Sequence, residues 1–395
     1  MSEIAHSQRA HALLSASGSS RWIACPPSAR LEEGYPDSSG DFAKEGTLAH
    51  ELAEVMLRNR VGNIDAHEAI AKVAEIEKSE YYSDDMPEEV EKYVDLVLEE
   101  FAEAKSLTPD AILLLEERID LTDFIPNGFG SNDAVIIADD VMSVIDLKYG
   151  RGVRVSAVDN SQLKLYGVGA LMKYSVMYDI KKVRLIISQP RLDSVSIWEI
   201  SSEDLLRWAE EVVKPAALTA TKGEGELKAG DHCKFCKAKA RCTALRDLAL
   251  ETAKHEFKDP NVLEEAELLD MYRKADLITD WLSAVQKYML AEACKGKEWE
   301  GLKVVEGRTQ RRISDTEGVQ ATLSEKGYKD TDFMESKLVA LGKLEKLIGK
   351  KDFEPTLGKF VVKPKGQPTL VGLDDKRPPF DFGASSDFDD GFRDE

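Results

Sequence analysis

No stretch of the chain approaches the roughly 18 apolar residues that a membrane-spanning helix needs. The first 24 residues lack the charged-then-apolar order of a secretory signal, so a cytoplasmic protein with no membrane partner is expected. Cysteines are few, five in 395 residues, which excludes a disulfide-dense small scaffold. Glycine and proline, at 26 and 14, are too sparse for a collagenous chain. No internal repeat is found, which excludes a solenoid. Basic residues are in deficit, 53 against 73 acidic, for a net charge of −20. A protein that coats nucleic acid through bulk charge is thereby excluded, although a local basic groove is not.

What is present is globular. Hydrophobic residues make up 43% of the chain and charged residues 32%, enough to bury a core in two or three domains. Leu48, Leu52, Val55 and Met56 recur at helical spacing, predicting a helix from about Gly46 to Asn59. A second helix is predicted over 86–105, opening at Pro87. The period then changes. Ala111 to Leu121 reads as a strand. Ala134 to Ala138 and Val141 to Leu147 are β-branched runs separated by Asp139 and Asp140, the pattern of a hairpin. A helix over Ser161 to Tyr174 follows, then strands over Val183 to Ser188 and Val195 to Ile200, then a helix over Glu203 to Ala217. This order predicts an α/β or α+β core around a mixed sheet. A long helix is expected over Val262 to Cys294, its stripe of Leu269, Tyr272, Ala275, Ile278, Leu282, Val285 and Met289 packing into a core. Residues 296–350 read as a small helical or α+β module, and the chain ends in an acidic stretch with spaced phenylalanines.

The chemistry concentrates at Gly130-Ser131-Asn132-Asp133 and Val144-Ile145-Asp146-Leu147-Lys148. Alternation along a strand puts Asp146 and Lys148 on one face. The preceding strand, expected to begin at Asp133, brings a second carboxylate beside Asp146. Two carboxylates that converge in a partly closed site repel, and a divalent cation such as Mg²⁺ removes the repulsion. A lysine beside them can position an attacking water or steady developing phosphate charge. Asp and Lys two apart on a strand are more often an exposed ion pair of little worth. Here the flanking Ile145 and Leu147 bury the strand, so the two charges need a reason. Gln162 and Tyr166 share a face of the next helix. His50 stands in Gly46-Thr47-Leu48-Ala49-His50.

Cys233, Cys236 and Cys242 supply three thiolates on one turn-rich segment, and Cys25 before Pro26 is the obvious fourth. In a reduced compartment such clustering reads as metal ligation rather than disulfides. Four thiolates suit Zn²⁺ or an iron–sulfur cluster, and the spacing does not separate them.

Gly46-x-x-x-His50, Asp133, Asp146-x-Lys148 and Gln162-x-x-x-Tyr166, in this order, resemble the RecB-type branch of the PD-(D/E)XK nucleases. The resemblance implies a restriction-endonuclease-like core, a mixed central sheet flanked by helices, over about residues 20–245. It implies that His50, Asp133 and Asp146 bind Mg²⁺ or Mn²⁺, that Lys148 serves the attacking water, and that Gln162 and Tyr166 position substrate or lysine. The residue before Asp133 is Asn132, where the family name has proline. The four cysteines are similar to those of the iron–sulfur variant seen in AddB-type helicase–nucleases and CRISPR adaptation nucleases. That likeness favours a 4Fe–4S cluster over zinc, tying the chain's start to the end of the core. Lys303-Val304-Val305-Glu306-Gly307-Arg308 and Gly366-Gln367-Pro368-Thr369-Leu370 extend the likeness to a phage and prophage family catalogued without assigned function.

Residues 148–191 hold nine cations against Asp159 and Asp179. This stretch is read as a phosphate-tracking groove, with Arg151, Arg154, Lys164, Lys181, Lys182 and Arg184 as expected DNA contacts. Arg308, Arg311, Arg312 and Lys303 form a second basic knot. The expected organisation is an N-terminal segment over 1–45 carrying Cys25, a nuclease core over 46–245, a mainly helical extension over 246–362, and a flexible acidic tail over 363–395. The expected function is a metal-dependent deoxyribonuclease, an exonuclease of phage DNA replication or recombination in the bacterial host. The alternative is a non-catalytic DNA-binding scaffold that recruits a single-strand-binding protein or recombinase through its tail. Oligomers occur on this fold, which leaves a homo-oligomer open. A zinc-stabilised regulator lacks any helix-turn-helix to read DNA with.

Overall fold

The structure is a computed structural model. It describes residues 13–35, 40–256, 265–307, 312–333, 341–362, 368–372 and 377–380. It divides into two units, Met1–Trp281 and Leu282–Glu395.

The first unit begins with α1 (Ser19–Ala24), α2 (Ser28–Glu32), α3 (Asp41–Arg60), α4 (Ala66–Ile76) and α5 (Met86–Leu107). There follow β1 (Ile112–Asp120), β2 (Phe129–Ile137), β3 (Asp140–Leu147), α6 (Ser161–Tyr174), β4 (Ile180–Gln189) and β5 (Ser194–Ser201). Next come α7 (Ser202–Trp208), α8 (Lys214–Lys222), α9 (Thr243–Glu256) and α10 (Glu265–Cys294), the last crossing the division. The strands form one five-stranded sheet in the order β1-β2-β3-β4-β5. All neighbours are antiparallel except β3 and β4, which run parallel with α6 as the crossover. This is the expected α+β core with a mixed sheet.

The sheet separates two hydrophobic layers. On one face α6, α7 and α8 pack over Val144, Val183, Leu185 and Ile187. On the other, α3 and α5 pack over Ala134, Ile136, Ile145 and Ile186. Strands buried on both faces read as continuous apolar runs, which is why β3 and β4 were visible in the sequence. The α6 helix lies close to the sheet because Gly169 has no Cβ, and one placed there would meet Ile119 at 2.8 Å.

Four expectations are amended. The first is the start of β2. It lies at Phe129 rather than Asp133, because Phe129 and the Gly-Ser-Asn run after it, poor in strand formers, are paired residue by residue with Glu117–Asp120. The second is α4, which was not expected; Asp65 caps it by accepting from the Glu68 N–H at 2.8 Å. The third is the helix after β5. It runs on to Lys222 through a π turn at Ala209–Val213, just before Pro215, which lacks an N–H for the regular ladder. The fourth is the apolar stripe of α10. Leu269, Tyr272 and Leu282 are 48%, 80% and 51% exposed, so they do not pack into a core. Among the described residues no apolar face opposes them.

The second unit is a small α+β module. β6 (Leu302–Glu306) pairs with β9 (Pro368–Gly372), and β7 (Arg312–Ile313) pairs with β8 (Val361–Val362). Between them α11 (Thr316–Glu325), α12 (Asp330–Phe333), α13 (Leu341–Ile348) and α14 (Lys350–Leu357) enclose Val319, Leu323, Phe333, Leu344 and Phe353. β9 falls inside the stretch read as tail and completes this module. The acidic phenylalanine-bearing end, and Arg308 and Arg311 of the second basic knot, lie outside the described residues. No helix among the described residues is long and apolar enough to cross a membrane.

Candidate metal and phosphodiester site

β2 and β3 are paired only as far as Ala134–Ile145. Continuing that register would set Asp133 across from Asp146, but the ladder stops there. Instead the Leu147 N–H donates to the Asp133 carboxylate at 2.7 Å. A side chain replaces the backbone partner, the strands part, and two carboxylates face the opening.

Asp133 is positioned by an inversion of alternation shared by β1 and β2. Before Glu116, Leu113 and Leu115 point to the α3/α5 layer; after it, Ile119 points to the α6 layer. In β2, Val135 faces the α6 layer, and a Cβ on Gly130 would meet Tyr166 at 3.0 Å on that side. The pivot is Glu116, whose φ of 51° is left-handed in the middle of a strand. The inversion turns Asp133 toward α3, where its Oδ1 lies 3.2 Å from His50 Nδ1. Glu116 joins them: one ligand atom from each of His50, Glu116 and Asp133 lies within 4.8 Å of the others. A cavity of about 10 Å³ opens among His50, Glu54, Tyr93, Glu116 and Asp133, room for a single water or ion. The Tyr93 hydroxyl on its wall is buried without a hydrogen-bond partner. One imidazole, two carboxylates and a small cavity with an orphaned hydroxyl fit a divalent cation.

The other half of the site is held by α6. Lys148 Nζ lies 2.9 Å from Asp146 Oδ2 and donates to Gln162 Oε1 at 3.0 Å. The Gln162 amide donates to Asp146 Oδ1 at 3.3 Å and to the Tyr166 hydroxyl at 3.0 Å. Asn160 caps the helix by accepting from the Leu163 N–H at 3.1 Å, which aims its first turn at the end of β3.

The electrostatics follow from crowding. Burial favours neutral His50, but the Asp133 charge outweighs it and the imidazole is pushed up to about 9. Burial would raise Asp133, yet His50 and the Leu147 N–H hold it below the usual carboxylate range. Asp146 is raised, by burial first and by Asp133, against the opposing pull of Lys148. Burial would lower Lys148, but Asp146 and Asp133 outweigh it and its ammonium is strengthened.

The expected site residues His50, Asp133, Asp146, Lys148, Gln162 and Tyr166 are thus brought together. Asp146 is engaged by Lys148 and Gln162 rather than belonging to the trio that can share one ion. Glu116 was missed, since a lone glutamate in an apolar strand carries no motif and its left-handed backbone leaves no mark in composition.

The cysteines also converge. Cys25 follows α1, and its Sγ accepts from the Lys228 N–H at 3.5 Å. Cys233 is buried beside Cys242 and Cys25, and its thiol is raised by burial first and then by them. Burial pushes Cys236 up to about 12, with Glu32 and Cys233 adding to it. The sulfurs do not form a group within 4.8 Å.

The expected DNA-binding residues do not form one groove. Lys164 points inward, its side chain 6% exposed, paired with Asp159 at 2.6 Å and lying 3.8 Å from the centre of the Trp208 ring. Lys181 pairs with Asp140, Lys182 with Glu199, and Arg184 with Glu100 and Glu199. In register, Lys182 stands beside Val141, Arg184 beside Ser143 and Ile187 beside Asp146, so these cations lie about 10 to 20 Å along the sheet from the site. Arg151 is at the right end but is bound to Asp85 at 2.6 Å. Arg154 is exposed on the same loop.

The architecture is therefore an α+β fold with a carboxylate–histidine–lysine site where its central strands part. The chain belongs to the family described as "Protein of unknown function (DUF2800)", whose pattern matches residues 11–378. Among solved structures it is similar to one titled "Crystal structure of SSO0001". The likeness covers 55% of this chain and 94% of that one, at 13% identity and a TM-score of 0.21.

Proposed function

We propose that the protein is a Mg²⁺- or Mn²⁺-dependent deoxyribonuclease, an exonuclease of the kind the sequence resemblance implies in phage DNA metabolism. The observation that carries this reading is the closed network Asp146–Lys148–Gln162–Tyr166 facing His50, Glu116 and Asp133 across the gap between β2 and β3. A merely structural ion pair would not need a glutamine that satisfies both partners.

His50, Glu116 and Asp133 would hold the cation, with Asp146 on the facing strand. When bound, the cation neutralises the carboxylates and lends Lewis acidity to a phosphate oxygen. Lys148 keeps its proton, because two carboxylates surround it. Its Nζ is therefore a hydrogen-bond donor to developing phosphate charge, and proton removal from the attacking water falls to a carboxylate. Gln162 orients Lys148 and Asp146 together, and Tyr166 fixes the Gln162 amide.

Cys25, Cys233, Cys236 and Cys242 would hold a 4Fe–4S cluster. The sequence resemblance to the iron–sulfur variant favours this cluster over a single zinc. The group would staple the chain's start to residue 242.

The test is degradation of end-labelled linear and circular DNA with Mg²⁺ or Mn²⁺, comparing wild type with Asp146→Ala and Lys148→Ala purified without oxygen. Cleavage that needs metal and is lost in both variants is expected, with linear DNA preferred. DNA binding without cleavage would leave the scaffold alternative.

A further inference from the structure

Nearly every cation of the 148–191 stretch is spent on a carboxylate, so the phosphate-tracking surface must be sought elsewhere. The loop that carries three cysteines offers one. Between Lys228 and Arg246 there are six cations and one carboxylate, in a chain of net charge −20. Lys228, Lys234 and Arg241 are exposed and make no ion pair among the described residues. At the tip, between Cys233 and Cys236, Phe235 is 74% exposed. A phenylalanine held open to water between two inward cysteines buries nothing for the fold. Its ring has Lys234 Nζ 5.7 Å from its centre, so it is flanked by charge rather than by apolar neighbours.

We infer that this loop is a binding platform for single-stranded nucleic acid, with Phe235 stacking a base and Lys234, Lys228 and Arg241 lying along the backbone. An exposed aromatic among unpaired cations is the chemistry of single-strand recognition, because an exposed base offers a π face that a duplex keeps covered. The platform is well placed for the site described above. α1, six residues and about 9 Å long, ends at Cys25 beside the loop. At its other end the Ser19 hydroxyl meets that of Ser161 at 2.7 Å, next to Gln162. A strand on the platform is thus one short helix away from Lys148 and Asp146. The inference rests on the nuclease reading for its purpose, and on the loop alone for its chemistry.

The experiment uses the full-length protein with its cysteine site intact. Binding of a labelled oligothymidine, single-stranded or in duplex, is followed by fluorescence anisotropy without added divalent metal, and cleavage is assayed separately with Mg²⁺. Phe235→Ala is expected to weaken single-strand binding by about 5- to 100-fold, the range of one lost base stack, with a smaller effect on duplex. Phe235→Trp should retain affinity, and emission from the introduced indole should fall on binding. Lys234→Gln with Arg241→Gln should flatten the salt dependence. Unchanged affinity in Phe235→Ala, or equal losses for duplex and single strand, would overturn the platform. Should Phe235→Ala fail to fold, absence of quenching in Phe235→Trp overturns it instead. Phe235-dependent binding with no cleavage would keep the platform and remove the nuclease; cleavage with Phe235-independent binding would do the reverse.

Discussion

Glu116 and Asp133 stand across from each other between the Leu115–Ala134 and Glu117–Asn132 pairs, at the point where both strands invert their facing. Glu116 reaches this place only through a left-handed backbone, which costs a non-glycine residue about 1–3 kcal/mol. The strain is tied to the trio proposed to hold the metal, so stability and affinity should separate. Glu116→Gly should be more stable than Glu116→Ala by about 1 kcal/mol in urea unfolding, since glycine takes this backbone freely. Both should lose Mn²⁺ affinity by at least tenfold in calorimetric titration. Equal stability of the two variants would mean that the backbone at 116 is relaxed.

His50 sets a pH dependence in the metal-free protein. Its folded pKa, about 9, lies above the usual 6.5 of an imidazole. The folded state therefore holds a proton that the unfolded chain releases. The stabilisation is full below pH 6.5 and is lost as pH rises through 9. With chelator present, unfolding free energy should decline across that window by at most about 3 kcal/mol. His50→Gln should flatten the decline. Metal should reverse it, because the cation competes with the proton for the imidazole.

Lys164 separates burial from charge. Its amine is enclosed by Asp159 and the Trp208 face, contacts worth about 1–2 kcal/mol together. Lys164→Met should lower stability by about that much and leave DNA affinity within twofold, measured by anisotropy. A tenfold loss of affinity in a folded Lys164→Met would restore it to the proposed set of DNA contacts.

These residues mark what could be read in the sequence and what could not. Asp146 and Lys148 were legible because two charges in a strand buried on both faces conflict with their surroundings. Gln162 and Tyr166 were legible because helical spacing is regular. Glu116 was not, since the backbone that re-aims it is a property of two paired strands. The pairing of the charge run was not legible for a related reason. Counting cations along the chain takes no account of partners such as Glu100 and Asp140, which only the fold brings alongside. Pairing then reverses the ranking of the two basic stretches.

Gln189 explains how the loop between Lys148 and Ser161 keeps its shape. The residue is buried at the end of β4, its Oε1 accepting from the Val155 N–H at 2.7 Å and its amide donating to the Val153 carbonyl at 2.9 Å. One side chain thus acts as a strand partner for a loop that has none. The loop connects the two halves of the Asp146–Lys148–Gln162 network, so its slack is slack between Lys148 and Gln162. Gln189→Ala leaves two backbone groups unpaired and should cost about 1–3 kcal/mol. Gln189→Glu keeps the Val155 bond but sets a carboxylate oxygen against the Val153 carbonyl, and should be no better. In both, trypsin should cut sooner at Arg151 and Arg154, which sit exposed on that loop. Cleavage at the wild-type rate would mean that the loop is held by the Ser196 contact to the Ala157 N–H alone.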